Sequence, residues 1–233
     1  MITTSNAIVK DIIIHKDDLR EYILEPEKYR RYQPGMFLQL TLDIVTASDI
    51  WPESKTFSIC NAYNKSNKEF RLIIRRVKKY TTKIFDTLKI GSTCTVKYAF
   101  GDMLLPNNLN EKSIICIAGG SGIAPILSFI EDLKQRNNLF NFHLFYSVKT
   151  SKELLYLDNI LNNLKSNNLY TYVTQEKTDR HINRRIGIND IILSVPNNLE
   201  PHFYICGSPD FINSFKTNLL KRCYNNVHID EWE

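Results

Sequence analysis

The chain has 233 residues, 43% hydrophobic and 24% charged, with a formal net charge of +5, which excludes a disordered or collagen-like chain and fits an ordinary globular protein large enough for one or two cores. No run approaches the roughly 20 apolar residues that cross a bilayer, and "MITTSNAIVKDIII" has no basic n-region or cleavage site, so a cytoplasmic protein with no membrane partner is expected. Five dispersed cysteines without a C-x-x-C spacing, and five equally dispersed histidines, argue for reduced thiols and against a zinc, iron–sulfur or other metal site.

Charge is uneven along the chain. Residues 1–110 carry 17 Lys+Arg against 12 Asp+Glu, while residues 111–233 carry 13 of each, so the whole excess lies in the first half. From Ile8 to about Val96 that half reads as short strands, among them "GMFLQLTL", "TFSICNAY", "FRLIIRRV" and "STCTVKYAF", broken by turn residues. Such spacing predicts a small antiparallel barrel or sandwich. One short helix is expected in "TTKIFDTLKIG", with Ile84 and Leu88 at helical spacing and Gly91 closing it. The polar "LPNNLNEK", Leu105 to Lys112, reads as a linker, giving domains of 1–108 and 109–233.

After the linker the rhythm becomes strand, helix, strand, helix. "SIICIAG", "NFHLFYSV", "LYTYVTQ" and "HFYICG" are the strands, with helices from Pro125, near Glu153 to Leu164, near Asn189 to Leu193, and from Pro209 to Leu220. That alternation predicts a doubly wound parallel sheet, whose ligands bind at the carboxyl ends of the strands. The turn Gly119-Gly120-Ser121-Gly122-Ile123-Ala124-Pro125 links the first of these strands to a helix and would aim backbone N–H groups and a helix dipole at a phosphate or pyrophosphate. It is not a P-loop, since no Gly-Lys-Ser/Thr follows, and not a nucleophile elbow, since Ile123 stands where glycine is needed. Against the dinucleotide fingerprint it has proline for the third glycine, and the next strand ends in Val148-Lys149 with no acidic residue. A dinucleotide bound here would need a variant scheme.

A barrel half followed by a parallel α/β half bearing "GGSGIAP" resembles the ferredoxin–NADP reductase family, and three further segments fall in the family's order. Lys55-Thr56-Phe57-Ser58 is similar to its Arg-x-Tyr-Ser flavin motif, "YICGSPDFI" (Tyr204 to Ile212) to its Cys-Gly-x-Pro segment, and "IDEWE" to its acidic and aromatic ending. The resemblance implies a flavin-binding β-barrel followed by a nicotinamide-binding domain, with FAD favoured over FMN and NADH or NADPH as hydride donor. It assigns the flavin to Lys55, Thr56, Phe57, Ser58, Ile59, Cys60 and Thr82, the last from a phosphate turn in which Lys79 replaces glycine. It assigns the nicotinamide dinucleotide to Gly119, Gly120, Ser121, Gly122, Ile123, Pro125, Lys149, Thr174, Arg184, Cys206, Gly207, Pro209 and Trp232, with Ser58, Cys206 and Asp230 as the catalytic residues.

Departures bear on specificity. Lysine at 55 makes a bidentate phosphate clamp into a point charge, and phenylalanine at 57 keeps stacking but loses a hydroxyl. Thr174-Gln175 stands where a Ser-Arg pair usually meets a 2′-phosphate, which tilts the expectation toward NADH, with Lys149 and Arg184 as the opposing cations. The implied activity is an NAD(P)H-dependent flavoprotein reductase whose electrons leave to a separate acceptor, an acidic iron–sulfur protein steered to the basic first half. A flavin reductase using free flavin is the alternative. A basic nucleic-acid module, suggested by "RRVKKYTTK" with Tyr80 interleaved, is the remote one.

Overall fold

A computed structural model describes residues 2–46, 49–139, 141–164, 168–196 and 198–230. The chain divides into two compact units, Met1–Leu104 with Leu127–Phe129, and Leu105–Ile126 with Ile130–Glu233.

The first unit is an antiparallel sheet of β1 (Thr3–Lys16), β2 (Leu19–Pro26), β3 (Phe37–Thr41), β4 (Lys55–Ser58), β5 (Phe70–Arg75) and β6 (Thr93–Phe100), in the order β4-β3-β6-β1-β2-β5. It nearly closes on itself: the Cys60 N–H donates to Arg71 O at 2.8 Å and Arg71 N–H to Asn61 Oδ1 at 2.9 Å, joining the chain after β4 to β5 at the far edge. The strands are not all short. β1 runs for 14 residues, because its register against β2 shifts between Val9 and Asp11 and again between Ile14 and Lys16. Extra residues of this kind bend a strand, and the bend lets Thr3–Ile8 pair with β6 while Ala7–Lys16 pairs with β2. Alternate residues Leu38, Leu40, Leu72, Ile74, Val96 and Tyr98 fill the interior. "TFSICNAY" is strand only as far as Ser58, since the Ile59 and Cys60 N–H groups turn away to Met36 O and Arg71 O.

Helix α1 spans Lys79–Thr87 and buries Thr81, Ile84 and Phe85. The Thr81 hydroxyl starts it, accepting from the N–H groups of Val77 (3.0 Å) and Lys78 (3.1 Å), which would otherwise be orphaned. Lys79–Thr82 is therefore the first turn of the helix, not a loop before it.

The second unit holds a wholly parallel sheet of β7 (Lys112–Gly119), β8 (Phe142–Val148), β9 (Leu169–Val173), β10 (Glu200–Cys206) and β11 (Val227–Ile229), ordered β11-β10-β7-β8-β9. Six successive residues of β7, Ser113 to Ala118, are buried, as expected of a strand covered on both faces. Helices α2 (Ala124–Gln135), α3 (Leu157–Asn163), α4 (Ile188–Ile192) and α5 (Pro209–Leu220) alternate with the strands. α5 begins where Ser208 accepts from the Phe211 N–H and Pro209 takes the first turn, and it buries Ile212, Phe215 and Leu219 at helical spacing. The helix expected near Glu153 to Leu164 is broken: Ser151–Glu153 forms a 3-10 turn, and Tyr156, at a left-handed φ of +58°, separates it from α3. The antiparallel barrel and the doubly wound sheet are the two architectures that the sequence predicts.

Candidate active site

In the second unit the strand order reverses at β7, with β8 on one side and β10 on the other. The crevice outside the carboxyl ends at such a reversal is where open α/β sheets take ligands. The two strands meet there through glycine. A Cβ on Gly122 would lie 2.2 Å from Cys206 O, and one on Gly207 would lie 2.8 Å from the Phe211 ring and 3.4 Å from the Gly119 Cα. Gly122 thus serves close approach of the β7 turn to the end of β10 rather than positive φ. Gly120 does the opposite: its φ is +56° and a Cβ there would meet nothing within 4 Å, so a ligand's phosphate has an open backbone to approach. Gly120–Ile123 forms a 3-10 turn that runs directly into α2, with Ser121 half-buried and Pro125 in the helix's first turn. This is a cradle that a pyrophosphate fits.

Cys206 ends β10 opposite Ala118 and is buried. Burial first, and the Asp230 carboxylate second, push its thiol up to about 12, so Cys206 carries an S–H across the neutral range. Asp230 follows β11 directly and is 5% exposed. Two of the predicted catalytic residues are thereby brought together. Trp232 lies outside the described residues.

Farther along the same edge, Thr174 and Lys149 are exposed where β9 and β8 end, and the ladder continues past both strands through Thr174 N–H to Val148 O (3.1 Å) and Gln175 N–H to Lys149 O (2.8 Å). Arg184 does not stand as a spare cation there. Its guanidinium forks onto Asp190, with both N···O distances 2.6 Å, and covers the Tyr172 ring at 5.5 Å. Asp190 also accepts from the Gly187 N–H, so Arg184 is tied to the first turn of α4. Sequence reasoning missed this partner, because an aspartate six residues away across a turn carries no local signature.

In the first unit, Lys55, Thr56, Phe57 and Ser58 pair with Leu40, Gln39, Leu38 and Phe37. Paired residues share a face, so Lys55 and Phe57 lie with the core-facing leucines and Thr56 and Ser58 lie opposite. Phe57 is half-buried against the barrel core; Ser58, Ile59 and Cys60 are buried. Thr82 is exposed and its N–H is taken by Lys78 O (3.0 Å), leaving only its hydroxyl for a ligand. The residue that organises this region is Tyr80. Its hydroxyl meets Leu40 O (3.3 Å), Glu53 O (3.0 Å) and the Leu42 N–H (3.3 Å), tying the amino end of α1 to the entry of β4 beside Lys55. A helix amino terminus next to a lysine suits a phosphate, so the residues present fit the family's flavin diphosphate. In sequence, Tyr80 reads as an aromatic interleaved among lysines; in the structure its hydroxyl is spent on backbone groups.

The basic run is likewise partly compensated. Arg75 pairs with Asp18 at 2.8 Å, and Arg20 and Arg76 both lie over the Phe85 ring, at 4.4 and 5.5 Å. Lys78 and Lys79 are exposed. Among the described residues no helix is long and apolar enough to cross a membrane, and no group of three or more His, Cys, Asp or Glu could hold a metal ion.

Residues 116–217 match the family model of the oxidoreductase NAD-binding domain. The reductase component of propane 2-monooxygenase from Mycolicibacterium smegmatis is 23% identical over 88% of this chain, which spans 59% of that protein's length. A flavodoxin/ferredoxin–NADP reductase of Buchnera aphidicola subsp. Schizaphis graminum is 28% identical over 82% of this chain and 81% of its own. Among solved structures, a ferredoxin NADP+ reductase from Neisseria gonorrhoeae with bound FAD and NADP shares the fold over 98% of both chains, with a TM-score of 0.75 and 18% identity. Barrel, sheet reversal and glycine cradle agree with these matches: residues 116–217 form an oxidoreductase NAD-binding domain, and the chain as a whole is similar to ferredoxin–NADP reductases.

Proposed function

We propose that the protein passes hydride from NAD(P)H to FAD and releases the electrons to a separate acceptor, an iron–sulfur protein. FAD would supply the step from a two-electron donor to one-electron steps. The observation that carries the reading is the β7/β10 crevice, where the open Gly120 backbone, the buried Cys206 thiol and Asp230 converge. Gly120 and Ser121 would hold the pyrophosphate of the nicotinamide dinucleotide. Cys206, kept as a neutral S–H, would present a small weak donor to the nicotinamide ring without placing a thiolate against developing charge; burial first, and Asp230 second, hold it in that state. Lys55 and the α1 amino end would hold the flavin phosphates, Phe57 would take the ring face, and Ser58 would donate near the flavin N5. We place the protein in the cytoplasm.

A separate electron-transfer acceptor is supported by relatives that are reductase components of oxygenases, and its acidic character is read from the exposed Arg76, Lys78 and Lys79. The second reading, free flavin as a diffusible substrate, is favoured by one observation: the flavin region lacks a guanidinium clamp at Lys55, and the Thr82 N–H is consumed inside α1. The test is anaerobic titration of the purified protein with NADH and NADPH, before and after desalting. Retained flavin that bleaches supports the reductase; flavin lost on desalting yet turned over when added supports the second reading; no flavin affinity contradicts both.

A further inference from the structure

In doubly wound nucleotide-binding sheets, the strand after the glycine-rich turn ends in a carboxylate that receives the ribose hydroxyls, and a cation nearby is what a 2′-phosphate requires. β8 occupies that place and ends Val148-Lys149-Thr150, with no acid. A carboxylate is nevertheless there in space. The ladder carries β9 on through Gln175, whose N–H donates to Lys149 O, and Glu176 then crosses to the 3-10 turn that follows β8. Its Oε2 accepts from the Ser151 N–H at 2.9 Å and its Oε1 from the Ser151 hydroxyl at 2.9 Å.

We infer that Glu176, supplied from β9 and pinned by Ser151, is the ribose ligand that β8 lacks, and that it selects dinucleotides without a 2′-phosphate; this rests on the proposed nicotinamide site. A carboxylate has about four lone-pair positions, and Ser151 takes two, which leaves acceptors for a vicinal diol on a side chain that is partly exposed. The Ser151 backbone and hydroxyl, with smaller help from His181 and Lys152, hold Glu176 below the usual carboxylate range, so it is ionised wherever the enzyme works. The cation that would have offset it, Arg184, is forked onto Asp190 instead. Lys149, Lys152 and Lys177 are the opposing charges along this edge, and none is fixed as a bidentate phosphate clamp in the way Glu176 is fixed as an anion.

Substitution Glu176→Gln keeps an amide oxygen for the Ser151 N–H while removing the charge, so it separates selection from mere closure of the turn. Dissociation constants of 5′-ADP and 2′,5′-ADP would be measured by calorimetry on the full chain, alongside kcat/KM for NADH and NADPH. The wild type is expected to bind 5′-ADP at least about tenfold more tightly than 2′,5′-ADP, and Glu176→Gln to shrink that ratio about tenfold at unchanged melting temperature. Ser151→Ala should shrink it less, by freeing the carboxylate without removing it. A ratio unmoved by Glu176→Gln, or a wild type that prefers 2′,5′-ADP, overturns the role of Glu176 alone. A wild type that binds neither nucleotide overturns the nicotinamide site itself.

Discussion

The two units carry their candidate sites differently. In the second, geometry is set by backbone: Gly122 must be small because Cys206 O sits where a Cβ would go, and Gly120 takes a φ of +56° beside open space. In the first, geometry is set by side chains, with Tyr80 tying α1 to β4 and Lys55 and Phe57 sharing the core-side face of one short strand. A backbone site accepts almost no substitution and so keeps its glycines, whereas a side-chain site can exchange arginine for lysine or tyrosine for phenylalanine and keep its outline. The departures at 55, 57 and 79 fall on the side-chain site, and the one in the second unit, Thr174-Gln175, is again a change of side chain at strand ends and spares the glycines.

The sharpest way to break that contrast is Gly122→Ala. A methyl 2.2 Å from a strand carbonyl forces the β7 turn and β10 apart, and we expect NADH-driven flavin reduction to fall by more than about 100-fold while flavin content holds, because backbone displaced by about 1 Å misplaces a reacting group. Stopped-flow reduction under anaerobic conditions measures it; an unchanged rate would mean that the close approach has no functional weight. Gly120→Ala, strained by about 1–2 kcal/mol but unobstructed, should cost less.

Cys206→Ala should slow reduction about tenfold to 100-fold with flavin binding intact, and Ser58→Ala should do so more mildly. Since the Cys206 thiol is pushed up to about 12, the wild-type rate should show no thiol ionisation between about pH 6 and 9. A rate that climbs through a thiol-like ionisation in that range would contradict the neutral S–H.

Tyr80→Phe probes the side-chain region. Losing one hydroxyl that meets three backbone groups should lower unfolding stability by about 1–2 kcal/mol in urea and loosen flavin on desalting, with nucleotide binding unaffected. Loss of nucleotide binding as well would show that the two regions are not separable.

This contrast also governs what the sequence reveals. The β7 turn and the Cys206–Pro209 segment are readable because glycines, proline and strand ends are local, and the parallel sheet follows from uninterrupted apolar runs. The 14-residue length of β1 is hidden, because two register shifts interrupt its alternation. Arg184 with Asp190, and Glu176 with Ser151, are hidden because each joins residues across a turn or between strand ends. Tyr80 is misread because composition shows lysines around it but not the carbonyls that its hydroxyl reaches.

A smaller effect lies at the amino ends of the parallel strands. The Lys112 ammonium can only donate, so at 3.2 Å it makes His202 Nε2 the acceptor and leaves the His202 proton on Nδ1, which lies 3.2 Å from His228 Nε2. Burial, then Lys112 and His228, hold His202 below its ordinary value of 6.5, against a weaker opposing pull from Glu200; burial lowers His143 too. The unfolded chain therefore binds these protons first, so stability should be complete above about pH 6.5 and decline as pH falls through the lower folded values. Urea unfolding at stepped pH, with His202→Gln flattening the slope, measures it, and stability that rises on acidification would contradict the sign.

Transfer of hydride from a nicotinamide onto a bound flavin is tested by the anaerobic visible spectrum of the purified protein before and after one equivalent of NADH. Flavin bands should remain after desalting and bleach on NADH addition, with Gly122→Ala retaining the bands but bleaching far more slowly. A protein that shows flavin bands indifferent to both NADH and NADPH, or that has no affinity for flavin at all, would contradict it.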